Sequence, residues 1–313
     1  MESKKISNLL LRAEIAFNSR KTRSYEWRIA QLKQLKKLLK ENEVQIIDAL
    51  AKDLGRPPFE GCGLEIIPLD MEIDFCIKNL KKWMETPLTP VPLIMAPANS
   101  QTVYEPYGVC LIIGAFNYPV DLVLGPLIGA IMTGNCAIIK PSELAPSCES
   151  LMSNLLPLYL DPECFQVVCG GVSTTTALLE QPWGKIVFTG STRVGKIVMQ
   201  AAAKYLTPVL LELGGKSPVI IDESVTNMEV VARRIMWGKC ANAGQTCIAP
   251  DYVLCHEKQY DAYLQASVKV LRTFYGKNPK DSVDFGRIIS KAHCERIQKL
   301  LEENPVANLL LLD

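Results

Sequence analysis

Val109-Cys110-Leu111-Ile112-Ile113 is an unbroken apolar run with no polar residue to alternate against. A strand with one wet face alternates; a short run that does not is the pattern of a strand covered on both sides. Four similar runs follow, at 136–140, 165–169, 185–189 and 209–213, each short and rich in Val and Ile. Helix-length segments separate them near 119–132, 146–157, 173–180 and 192–205. Strand and helix in alternation predict an α/β fold, a doubly wound parallel sheet with helices on both faces. Ligands of such sheets sit beyond the carboxyl ends of the strands. That rule points to Asn117, Lys140, Glu143, Gly170, Gly171, Gly190, Ser191 and Glu212.

Working outward, the first hundred residues read as mainly helical. Leu32, Leu35 and Leu39 share one face, as do Val44, Ile47, Leu50 and Leu54 until Gly55-Arg56-Pro57-Pro58 breaks the pattern. Ile73, Ile77, Leu80 and Met84 mark a further long helix. Residues 86–97 carry Pro87, Pro90, Pro92 and Pro97, which cannot lie inside a sheet, and read as an arm leaving the domain body. After Gly215 a new series begins, with strands at 218–222 and 252–256 and helices near 227–241 and 257–275. The expected organisation is a first domain from 1–85 and 107–212, an arm at 86–106, and a shorter second α/β domain at 213–313.

With 48% hydrophobic residues and a net charge of +1 over 313 residues, the chain is neither disordered nor polybasic. Near-neutral charge leaves no electrostatic footprint for nucleic acid. The basic cluster from Lys33 to Lys40 reads as a solvated helix face rather than a membrane patch. No run reaches membrane-spanning length; 118–132 comes nearest, and Asp121, Gly125, Pro126 and Gly129 interrupt it. Met1-Glu2-Ser3-Lys4-Lys5 leads into no signal-type segment, and eleven cysteines form no framework spacing. A reducing, cytoplasmic setting is expected.

Two stretches carry candidate chemistry. Leu211-Glu212-Leu213-Gly214-Gly215-Lys216 sets a carboxylate among apolar residues, which suggests an acid held at a strand mouth, since burial without a task is expensive. Gly244-Gln245-Thr246-Cys247 presents a thiol from a polar, loop-like approach, whereas Cys110, Cys136, Cys169 and Cys255 lie in apolar runs and read as core. A nucleophile and a carboxylate base follow. The alternative base would be one of only two histidines, His256 and His293, neither of which has supporting neighbours in sequence. Asn117, in Phe116-Asn117-Tyr118-Pro119, offers an amide N–H to an oxyanion, or merely caps a helix ahead of Pro119. Gly190-Ser191-Thr192-Arg193-Val194-Gly195-Lys196-Ile197 almost spells a P-loop but has Ile197 where a magnesium-holding Ser or Thr belongs. What remains is a helix start able to meet a pyrophosphate, or an ordinary cap by Ser191 or Thr192. Lys140-Pro141-Ser142-Glu143 suits an adenosine ribose, with the acid favouring NAD, or is a polar turn ending a strand.

Taken together in this order and spacing, these segments resemble the aldehyde dehydrogenase superfamily. Val194-Gly195-Lys196-Ile197-Val198-Met199, Ala201-Ala202-Ala203-Lys204 and Ala249-Pro250-Asp251-Tyr252-Val253 resemble its class 3, fatty and aromatic aldehyde, branch. The resemblance implies a doubly wound parallel-sheet NAD(P)-binding domain followed by an incomplete α/β catalytic domain. It implies Cys247 as nucleophile toward an aldehyde, Asn117 and the Cys247 N–H at the oxyanion, and Glu212 activating the water that hydrolyses a thioester. Lys140 and Glu143 would grip the adenosine ribose of NAD or NADP, with Gly190, Ser191, Thr192, Arg193, Val194 and Gly195 against the pyrophosphate. The proline-rich arm would serve a homodimer. Phe116 replaces the tryptophan of many relatives, and the chain ends before the family's Glu-x-Phe-Gly-Pro segment, so a truncated chain is expected. The alternatives are a truncated, non-catalytic product that binds nucleotide or partners, and a coenzyme A-acylating enzyme, which the presence of Glu212 disfavours.

Overall fold

A computed structural model of the chain describes residues 2–303. The end of the expected second domain, 304–313, lies outside the described residues. The chain opens with helices α1 (Glu2–Asn18), α2 (Tyr25–Glu41) and α3 (Glu43–Leu54). Ser24 caps α2, its hydroxyl accepting from the Trp27 N–H. The buried stripe of α3 is Ile46, Ala49, Leu50 and Leu54, while Val44 is 72% exposed. The sequence face drawn through Val44 is thus off by part of a turn, because the partners that choose the face are distant in sequence. A short helix α4 (Pro58–Gly61) runs through a π-helical turn, Cys62–Ile66, into α5 (Ile67–Trp83).

The proline-rich arm does contain sheet. β1 (Leu88–Thr89) and β2 (Ser100–Gln101) pair antiparallel, each two residues long and clear of the prolines, which is how an arm with four prolines still forms a ladder.

The main sheet comprises β3 (Val109–Ile113), β4 (Cys136–Lys140), β5 (Phe165–Val167), β6 (Lys185–Gly190) and β7 (Val209–Leu213), in the order β5-β4-β3-β6-β7 and parallel throughout. The crossovers are α6 (Asp121–Met132), α7 (Pro146–Tyr159), α8 (Val172–Leu179) and α9 (Thr192–Ala203). Helices α6 and α7 pack on one face beneath α2, α3 and α5, and α1, α8 and α9 cover the other. All five residues of β3 and of β4 are buried, which explains their lack of alternation. β5 is shorter than expected, and Cys169 beyond its end is exposed rather than core. The strand order reverses between β3 and β6, the point at which a doubly wound sheet opens a crevice.

Beyond Gly215, β8 (Ser217–Ile221) and β9 (Pro250–Cys255) form a parallel pair covered by α10 (Met228–Cys240) and α11 (Tyr260–Tyr275). Their small core centres on Ile221, Ile235 and Tyr263, with Cys255 half-buried at its edge. Helix α12 (Lys291–Glu303) follows, and the segment leading into it returns to the main body, where Ile289 joins the large core.

Candidate active site

The residues singled out in the sequence gather at the carboxyl end of the main sheet. Asn117 stands in the turn between β3 and α6, half-buried. Its side-chain Nδ2 donates to the Gln245 carbonyl at 2.9 Å, and the neighbouring Tyr118 hydroxyl lies 2.6 Å from Thr246 Oγ1. The β3–α6 turn is thereby joined to the segment that carries Cys247. Gln245 takes one of the two amide N–H groups, which leaves the other able to donate elsewhere.

That segment follows a tight turn. Asn242 and Ala243 both have φ +52°, and Gly244 has φ +78°. Left-handed backbone at two consecutive non-glycine residues is uncommon and strained. Asn242 anchors it: its N–H donates to Glu60 at 2.9 Å, and its Nδ2 to the Asn117 carbonyl at 2.7 Å. Gln245 ties the other side, its Nε2 donating to the Arg287 carbonyl at 2.9 Å while its Oε1 accepts the Ile289 N–H at 2.9 Å. Cys247 emerges exposed from this fixed base, the accessibility that thiol chemistry requires.

Glu212 sits one residue from the end of β7, opposite Thr189 of β6. It is exposed, not buried as the apolar flanks suggested, because α9 packs on the opposite face of β6 and β7, against Leu211 and Leu213. The carboxylate opens onto a cleft of about 1410 Å³ between that face and helices α5 and α6, shared with Thr189, Leu210, Asp121 and Glu72. Asn117 and Cys247 are not in its wall. The acid-bearing and thiol-bearing segments meet instead through Gly215: a Cβ there would come within 2.5 Å of the Cys247 carbonyl oxygen. Only glycine permits that approach.

At the β6–α9 turn, Ser191 is the N-cap of α9, its hydroxyl accepting from the Val194 N–H at 3.3 Å. Ser191, Thr192 and Arg193 are exposed, and the leading N–H groups of a helix lack intrahelical acceptors, so the turn both caps the helix and can take an anion. Gly195 is buried against β7, where a Cβ would strike Leu213, so its immediate service is close helix–strand packing. Lys140 ends β4 with its side chain buried and contacts the more exposed Glu143 carboxylate. That donor and acceptor pair suits ribose hydroxyls, and the exposed helix start suits a diphosphate, so the residues present fit a dinucleotide.

Several participants carried no signal in the sequence. His293 of α12 packs edge-on against Phe116, ring centroids 5.0 Å apart, and burial holds its imidazole below the ordinary value. Arg56 reaches the Asn117 carbonyl, Asn242 fixes the turn, and Arg287 returns from beyond α11. None of these has a motif; each is a polar residue made relevant by a contact far along the chain.

The model of the aldehyde dehydrogenase family matches residues 1–312. The chain belongs to the aldehyde dehydrogenase family. Aldehyde dehydrogenase family 3 member H1 of Arabidopsis thaliana is 45% identical, over 99% of this chain and 64% of its own length. A Rattus norvegicus aldehyde dehydrogenase, named as dimeric and NADP-preferring, is 44% identical over 97% of this chain and 67% of its own. The substrate-bound state of Staphylococcus aureus AldH aligns with a TM-score of 0.92 at 44% identity, covering 96% of this chain and 65% of that one. This family member therefore spans 64% of the length of its Arabidopsis relative. No helix among the described residues is long and apolar enough to cross a membrane.

Proposed function

We propose that the protein oxidises aldehydes to carboxylic acids with NAD or NADP, through a thiohemiacetal and a thioester on Cys247. The observation that carries this reading is the junction of the Asn117 turn with the Cys247 segment, with Gly215, three residues beyond Glu212, directly against the Cys247 carbonyl. Cys247 as thiolate forms the carbon–sulfur bond, and the carbonyl oxygen becomes an oxyanion received by the free N–H of Asn117 and the Cys247 backbone N–H. Bound NAD(P) supplies the hydride acceptor. Glu212 then takes a proton from the water that attacks the thioester, and the acid leaves as the thiol is regenerated. Lys140 and Glu143 would hold the adenosine ribose, and residues 190–195 the diphosphate. The likeness to family 3 enzymes supports aldehyde oxidation over coenzyme A acylation and over a non-catalytic role. A homodimer through the 86–106 arm and a cytoplasmic location belong to the same proposal; the eleven free thiols suit a reducing compartment.

Mixing the protein with an aldehyde and NAD should release NADH, followed at its absorbance. Cys247→Ala is expected to abolish the signal, and Glu212→Gln to leave a burst near one equivalent without turnover. NADH formation that persists in Cys247→Ala overturns the reading.

A further inference from the structure

Asn117 must present its amide in one orientation, yet nothing in the β3–α6 turn itself locks it. We propose that Arg56 and Glu65, buried in the N-terminal helices, are positioning residues that set the Asn117 amide against the Cys247 segment. The proposal rests on the reading of Asn117 as an oxyanion donor.

Both side chains are 0% exposed and form an ion pair. The Arg56 guanidinium also donates to the Asn117 carbonyl and lies over the Tyr118 ring, 4.8 Å from its centre. The Asn117 carbonyl accepts a second bond, from Asn242 Nδ2. Two donors fill both lone pairs of that oxygen, so the peptide plane following Asn117 cannot rotate without stranding a buried charge. Glu65 grips the next turn of chain: its Oε2 accepts the N–H groups of Val120 at 2.8 Å and Asp121 at 2.9 Å. Those are the leading donors of α6, whose own N-cap, Val120, has no side chain to offer them. Glu65 thus caps a helix from 55 positions away. It projects from the π-helical turn Cys62–Ile66, an insertion that re-aims side chains and that recurs at functional sites. Burial raises the Glu65 carboxyl above the ordinary carboxylate range, and Arg56 pulls the other way. A buried pair of this kind is poor as a stabiliser and effective as a register device.

The test uses single-turnover NADH formation and backbone hydrogen exchange on the full chain. Arg56→Met is expected to slow the NADH burst about 100-fold, the penalty of a reacting group misplaced by about 1 Å, while burst amplitude and aldehyde KM change by less than about threefold. Arg56→Lys should restore a large part of the rate. A purely structural role would lower amplitude and leave the rate per active site unchanged, which overturns the proposal. Asn117→Ala in parallel separates the two failures: if it does not slow the burst, the oxyanion reading falls; if it does and Arg56→Met does not, this proposal alone falls. Exchange needs no turnover. Glu65→Gln should speed exchange of the Val120 and Asp121 amides and of 242–247 by at least about tenfold, with the α3 amides unchanged. Unchanged exchange at 242–247 overturns the proposal.

Discussion

Asp121 shows how a single side chain can be costly without appearing so in sequence. It begins α6, gives its N–H to Glu65, and lines the cleft that Glu212 also lines. Burial alone pushes that carboxyl up to about 6. A carboxylate whose folded value exceeds its unfolded one has its full contribution to stability below the unfolded value, and loses it as pH rises through the folded value. The window here runs from about 4 to about 6. The shift corresponds to at most about 3 kcal/mol, and partial solvent access leaves roughly half. Asp121→Asn should therefore raise the melting temperature at pH 8 and leave it unchanged at pH 4. An equal change at both pH values would exclude ionisation as the cause. Residue identity marked Asn117, Glu212 and Cys247 as candidates in the sequence, because few side chains can do the chemistry proposed for them. Nothing in the string distinguished Asp121 from an ordinary first-turn acid.

At the scale of elements, the β6–α9 turn and the turn at 242–244 differ in how far their residues foretell their backbone. The β6–α9 turn announces itself through glycines and a capping serine, and it folds as its sequence suggests. The 242–244 turn places Asn242 and Ala243 in left-handed backbone, a conformation costing roughly 1–2 kcal/mol for an L-residue such as alanine. The bonds from Asn242 to Glu60 and to the Asn117 carbonyl offset that cost. Ala243→Gly should remove the strain at the price of a looser unfolded chain, a net gain of roughly 0.5–1 kcal/mol in denaturant titration. The same change should widen the mobility of 242–247, and a fall in stability would show that the Ala243 methyl group makes contacts worth more than the strain. Strain of this kind is invisible in sequence because it is imposed by partners from α4 and the β3–α6 turn.

Across the whole molecule, the two parallel sheets differ in how well they are covered. β3 and β4 are enclosed, whereas β8 and β9 expose Ile220 at 74%, Leu254 at 55% and Tyr252 at 47%. Parallel sheets are ordinarily covered on both faces, and a contiguous apolar patch of this kind favours association. Burying one such side chain is worth about 1.5–3 kcal/mol. The chain should therefore self-associate with rising concentration, and replacing both residues, Ile220→Glu with Leu254→Glu, should weaken that association by about tenfold or more in sedimentation equilibrium. A wild-type chain that stays monomeric at high concentration would contradict this.

Residue order alone set the alternation of strands and helices, the parallel sheet, and the chemical types gathered at its carboxyl edge. Apolar runs and glycine-bounded turns record local preference and burial, which act over a few residues. It did not determine that Glu212 is exposed, that Val44 faces solvent, that the proline-rich arm forms a ladder, or that Arg56, Glu65, Asn242 and His293 surround the Asn117 turn. These were settled in three dimensions, because each depends on contacts between segments far apart in the chain, and a polar side chain carries no periodic mark of the partner it will meet.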